Sequence, residues 1–178
     1  MAALDSAKKA IAMSTTSKVR SGPKEPSAVS ARYEDDLYGW AEAQIALLKA
    51  GRLTEVDAGN IAEELADVGH DQYDKLESAL GILMMHLLKW DHQPTHRSRS
   101  WVNTVHEQRK RIVRVLRKNP SLKSRIPEAT EEGYEDARDD AAAETGIAKK
   151  LFPKACPYDW SEITTRVIEF EDLRSPEE

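Results

Sequence analysis

Apolar residues in this chain recur at helical spacing and nowhere alternate over a useful stretch, so the pattern predicts helices throughout and no strand. The densest apolar run, residues 79–90, completes a helix that the pattern begins near Asp71 or Gln72. On that helix Tyr73, Leu76, Leu80, Leu83, Met84, Leu87 and Leu88 form one broad stripe, and Ala79, Ile82, His86 and Trp90 form a second beside it. Two stripes need cover on more than one side, which makes this the central helix of a bundle. Asp74, Lys75 and Glu77 precede it and Asp91 follows, so the run is too short and too closely bounded by charge to cross a bilayer.

The same spacing places a first helix over about 34–50, with Tyr33, Leu37, Trp40, Ala41, Leu47 and Leu48 on one face and Gly51 at its C-terminal turn. A second is expected over 57–68, with Asp57 as N-cap, Ile61, Leu65 and Val68 apolar, and Gly69 ending it or kinking it into the central helix. Ser98 caps a fourth helix over 99–118, striped by Trp101, Val105, Ile112, Val115 and Leu116, with Gln108 inside the stripe. A fifth starts at Asn119-Pro120, restarts at Pro127 and runs to about 144; its Ile126, Ala129, Gly133, Ala137 and Ala141 make a face of small residues. Gly146 ends it, and one short helix near 161–168 is expected in the remainder. The fold class is therefore all-α, a single antiparallel bundle of about five helices. It divides into a disordered tail (1–31), a helical domain (32–146) and an irregular arm packing on it (147–178), its acidic end flexible. The tail lacks aromatic residues and cannot offset the entropy of ordering.

Composition narrows the chemistry. The 178 residues carry a net charge of −5, which gives no overall pull toward nucleic acid or anionic membrane. The single cysteine, Cys156, rules out an intramolecular disulfide and a thiolate-rich zinc site, and its Lys-Ala-Cys-Pro setting suggests a packing residue. With no membrane span or secretory signal in the pattern, a cytoplasmic protein is expected. Charge is unevenly placed: residues 97–125 hold ten bases against one acid, and residues 128–144 hold eight acids against one base. The expected outcome is that the acidic helix folds back beside the basic one and neutralises it. The alternative is nucleic-acid binding through Arg109, Lys110, Arg111, Arg114, Arg117 and Lys118, which lacks interleaved stacking aromatics.

A candidate ligand pocket combines His86, Lys89 and Trp90 of the central helix with Trp101, Gln108 and Arg109 of the next, a set suited to a small anionic ligand. Its plainer counterpart is a satisfied core histidine and a hydrogen-bonded indole. No catalytic residue is assigned. Glu63, Asp67 and His70 sit on successive turns but lack the matching second unit of a di-iron bundle, so no metal and no cofactor are expected.

Several motifs together carry a resemblance: Tyr33-Glu34-Asp35-Asp36-Leu37-Tyr38-Gly39-Trp40, Leu47-Leu48-Lys49-Ala50-Gly51-Arg52-Leu53, Asn60-Ile61-Ala62-Glu63-Glu64-Leu65 and His86-Leu87-Leu88-Lys89-Trp90. Arg97-Ser98-Arg99-Ser100-Trp101, Asn119-Pro120-Ser121-Leu122, Tyr134-Glu135-Asp136-Ala137 and Cys156-Pro157-Tyr158 extend it. Over about residues 33–160 the chain resembles a bacterial family of uncharacterised proteins, the domain of unknown function number twenty-nine. The resemblance implies one all-α domain and no activity. The expectation is a protein-interaction or regulatory module, with a protein partner or self-association through the small-residue face or the arm. The ligand pocket and the nucleic-acid face stand as alternatives.

Overall fold

A computed structural model describes residues 31–170. The predicted tail, residues 1–31, lies outside the described residues except for Ala31, as does the acidic end beyond residue 170. Among the described residues the fold is all-α: α1 (Leu37–Lys49), α2 (Ala58–His92), α3 (Arg99–Lys118), α4 (Ile126–Thr145) and α5 (Trp160–Thr165), joined by short 3-10 turns. The chain divides into two compact units, Met1–Asp57 and Ala58–Glu178.

In the first unit, Asp36 caps α1 by accepting from the Gly39 N–H at 2.9 Å. Glu34, Asp35 and Asp36 thus precede the helix instead of forming its first turn. Gly51 comes after it with φ +71°, the left-handed conformation that a side chain would resist. The buried face matches the predicted one in part, with Tyr33, Ala41 and Leu47 half-buried. Trp40 and Gln44 are buried, whereas Leu37 and Leu48 are about half exposed. Gln44 accepts the Asp57 N–H at 2.9 Å, and the Trp40 indole donates to the Asp57 carboxylate at 3.3 Å. Asp57 therefore ties this unit together.

In the second unit, the expected break at Gly69 is absent. The second and central helices are one 35-residue helix, α2, and Gly69 lies within it, exposed and with a helical backbone. A glycine costs about 1 kcal/mol relative to alanine inside a helix, too little to interrupt one that is continuous on both sides. The core begins at Leu76. Leu76, Leu80, Leu83, Met84, Leu87 and Leu88 are fully buried, while Leu65 and Val68, predicted apolar positions of the first half, are 65% and 59% exposed.

Helices α3 and α4 each pack on α2 and scarcely touch each other. The small-residue face of α4 meets α2, not a second chain: Gly133 and Gly81 bring the two backbones together, flanked by fully buried Ala129, Ala137 and Ala141. Between α3 and α4 runs the arm. It is bonded to α4 by the Tyr134 hydroxyl donating to Pro153 O (2.8 Å), and to α2 by the Tyr158 hydroxyl donating to Asp91 (2.9 Å). Arg109 Nε of α3 donates to Ile163 O (2.8 Å) at its far end. Phe152, Tyr158, Ile163 and Ile168 of the arm are buried in the core. An Asp159–Glu162 capping box starts α5 one residue earlier than predicted. Among the described residues no helix is long and apolar enough to cross a membrane.

Candidate functional site

The six predicted pocket residues fall into three groups. His86, Lys89 and Trp101 gather with Glu144, which sequence reasoning did not single out. Lys89, three residues after His86, is buried, ion-pairs with Glu144, and holds its ammonium 4.6 Å from the Trp101 ring centroid. His86 Nδ1 lies 2.9 Å from Ile82 O, which assigns the ring proton to Nδ1 of a neutral imidazole. Burial pushes its pKa below the usual histidine value, and the Lys89 charge adds to that. Trp90 stands apart under Arg97, whose guanidinium is 4.7 Å from the ring centroid and whose Nε donates to Trp90 O at 2.9 Å. Gln108 and Arg109 belong to the arm side of α3 only in part. Arg109 donates to Ile163 O and Glu162 O, carbonyls of the short helix α5, while the buried Gln108 Oε1 accepts from no described residue.

His86 and Lys89 each have a protein partner, and the cavities of about 600, 320 and 230 Å³ are lined by other residues, Arg109 excepted. Among the described residues no three His, Cys, Asp or Glu side chains form a metal-binding group, and Glu63, Asp67 and His70 are strung along solvent-facing turns of α2. Cys156 contacts Met84 Sδ at 3.6 Å and Tyr158 O at 3.4 Å, and burial pushes its thiol up, away from the reactive thiolate.

The basic helix does present a surface. The sequence predicts that the acidic helix neutralises it; among the described residues, no ion pair joins α3 to α4. The reason is topological, since the arm occupies the space between them and α2 is the shared partner. Lys110 pairs with Glu107 at 2.8 Å on its own helix. Arg111, Arg114, Arg117 and Lys118 form no ion pair with any described residue, and all but the half-buried Arg111 are exposed. Val113, 64% exposed, lies beside Arg114 and Arg117, and with them Arg109 and Lys110 line a shallow groove of about 320 Å³.

The residues that sequence reasoning missed are those whose partners come from afar. Asp91 receives Tyr158 and both terminal nitrogens of Arg166; burial alone would raise its pKa, but these hydrogen bonds hold it below the usual carboxylate value. Arg138, buried on α4, has one visible signal, being the lone base among eight acids in residues 128–144.

A family model described as "Domain of unknown function DUF29" matches residues 32–167. No curated protein and no solved structure matches the chain.

Proposed function

For a chain that belongs to the DUF29 family, we propose a role as a protein-interaction module whose docking face is the outer side of α3 and whose partner presents an acidic, amphipathic helix. The observation that supports it is the 320 Å³ groove in which Arg114 and Arg117, with no ion pair to any described residue, flank an exposed Val113. Arginine and lysine on one helix face attract carboxylates, and an apolar contact at their centre rewards a partner side chain that a phosphate backbone lacks. Among the described residues no aromatic ring lies on this face to stack a base, and the acidic α4 of the same unit repels a long polyanion. Both favour a protein over nucleic acid. A regulatory role and self-association are narrower versions of the same reading.

The test is fluorescence anisotropy of the whole chain with a labelled peptide of alternating glutamate and leucine turns, and with labelled single- and double-stranded DNA, at low and physiological salt. The expected result is saturable peptide binding that weakens with salt. Reversing Arg114 and Arg117 to Glu replaces two attractions with repulsions, each worth about 0.2–1 kcal/mol at an exposed site, so about tenfold weaker binding is expected. Absence of peptide binding at low salt removes the proposal. DNA binding that is tighter than peptide binding and lost with the same substitutions transfers the face to nucleic acid.

A further inference from the structure

We propose that the cavity between α4 and the arm is a binding site for a small organic carboxylate, received by Arg138. This site is separate from the α3 face and does not depend on it. The cavity measures about 600 Å³ and is lined on the α4 side by Thr130, Tyr134, Glu135 and Arg138 and on the arm side by Lys154 and Cys156, among others. That volume suits a small molecule.

Arg138 is the reason to look there. Its side chain is only 9% exposed, and its single hydrogen bond to a described residue runs from Nη1 to Glu135 at 3.2 Å. Glu135 is itself 58% exposed and shared with Lys149, so it neutralises the buried guanidinium incompletely. Arg138 Nε is shielded from solvent and donates to no described residue, Nη2 makes no hydrogen bond to a described residue, and an anion in the cavity meets both nitrogens once the guanidinium turns its Nε toward it. A buried cationic donor without an acceptor is costly and asks for an anion.

Three other guanidiniums show what that edge does. Arg52 and Arg125 each close on a carboxylate with Nε and Nη2 together, and Arg109 uses the same two nitrogens on backbone carbonyls. That edge is the fork that matches a carboxylate in two-point contact. Of these four arginines, Arg138 is the one whose fork meets no described acceptor.

The wall chemistry selects the ligand class. Arg138 and Lys154 are offset by Glu131 and Glu135, so the lining has no net charge to hold a phosphate dianion, while a singly charged planar group pairs with the fork. Pro127, Ala155 and the Tyr134 ring supply apolar surface for an organic body. The Tyr134 hydroxyl is committed to Pro153 O, and burial pushes its pKa up to about 12, so it remains a neutral wall. Cys156 stays a thiol for the same reason.

The test follows the Arg138 Nε–H resonance in the isotopically labelled full chain, identified by its loss in Arg138→Lys. Benzoate and hexanoate are the probes, with benzamide as the neutral control and inorganic phosphate as the competing anion. Both carboxylates should shift the resonance saturably in the millimolar range, benzamide should not, and Lys154→Ala should weaken benzoate severalfold. Because Lys154 is exposed, that variant keeps the test valid even where Arg138→Lys fails to fold. The proposal is overturned by a resonance that neither carboxylate moves saturably, by an unchanged benzoate affinity in Lys154→Ala, or by phosphate binding tighter than both.

Discussion

Replacing Gly133 by alanine should destabilise the bundle even though alanine is the better helix former. A Cβ built at Gly133 would lie 2.9 Å from Glu77 O and 3.1 Å from Gly81 N, both backbone atoms in the middle of α2. Neither can rotate away, as a side chain could. Relief requires α4 to back off from α2 by roughly half an ångström, which loosens the contacts of Ala129, Ala137 and Ala141 in a core packed as densely as a crystal. Overpacking of this kind costs about 1–3 kcal/mol. The gain from removing a helical glycine is about 1 kcal/mol, so a net loss of up to about 2 kcal/mol remains. Gly69→Ala is the internal control, because a Cβ there meets nothing within 4 Å and only the helix-propensity gain applies. Urea denaturation monitored by far-ultraviolet circular dichroism, read as a shift in midpoint at constant slope, separates the two. The midpoint should fall for Gly133→Ala and rise for Gly69→Ala. Equal stabilisation by both would refute the claim that the Gly81–Gly133 crossing sets the spacing of α2 and α4.

The Lys89 cluster supplies two further outcomes. Glu144→Gln leaves the buried ammonium without its carboxylate; since Glu144 is about half exposed, the loss should be about 1–2 kcal/mol by thermal or urea unfolding, below the range for a fully buried pair. Lys89→Met removes the charge with its partner able to face water and should cost less than Glu144→Gln. For His86, burial lowers the folded pKa below the unfolded value of about 6.5. The unfolded chain therefore binds the proton first, so stability is full above that pH and declines as pH falls toward the folded pKa. His86→Gln should remove this slope from a stability profile, and an unchanged slope would assign it to another group.

The helices were legible because their signals are local. Ser98, Pro120, Pro127 and Gly146 mark the ends of α3 and α4 through single-residue chemistry, and the stripe from Leu76 to Leu88 declares its own burial. Gly69 misled for the converse reason, since a glycine marks a break only where the backbone leaves the helix, and here the residues on either side keep it helical. The apolar residues of α1 and of the first half of α2 have helical spacing, yet Leu37, Leu48, Leu65 and Val68 stay largely exposed, because periodicity reports an apolar face and not what covers it. The candidate site was legible only as residue types. Lys89 with Trp101 came together as the spacing implied, but Glu144, 55 residues onward, completes the cluster. The charge split was plain in the chain. Apart from the local Arg125–Glu128 pair, that it survives with no ion pair between α3 and α4 depends on where the arm runs, and nothing in the arm's own composition declares its path.

That path has a consequence for how the molecule is made. Synthesis delivers α2, α3 and α4 before the segment carrying Phe152, Tyr158, Ile163 and Ile168, so a nascent chain presents the seam between its helices unclosed until those four side chains arrive. Assembly of the second unit thus ends with a sealing step, in which Asp91 captures Tyr158 and Arg166 and Arg109 takes the carbonyls of α5.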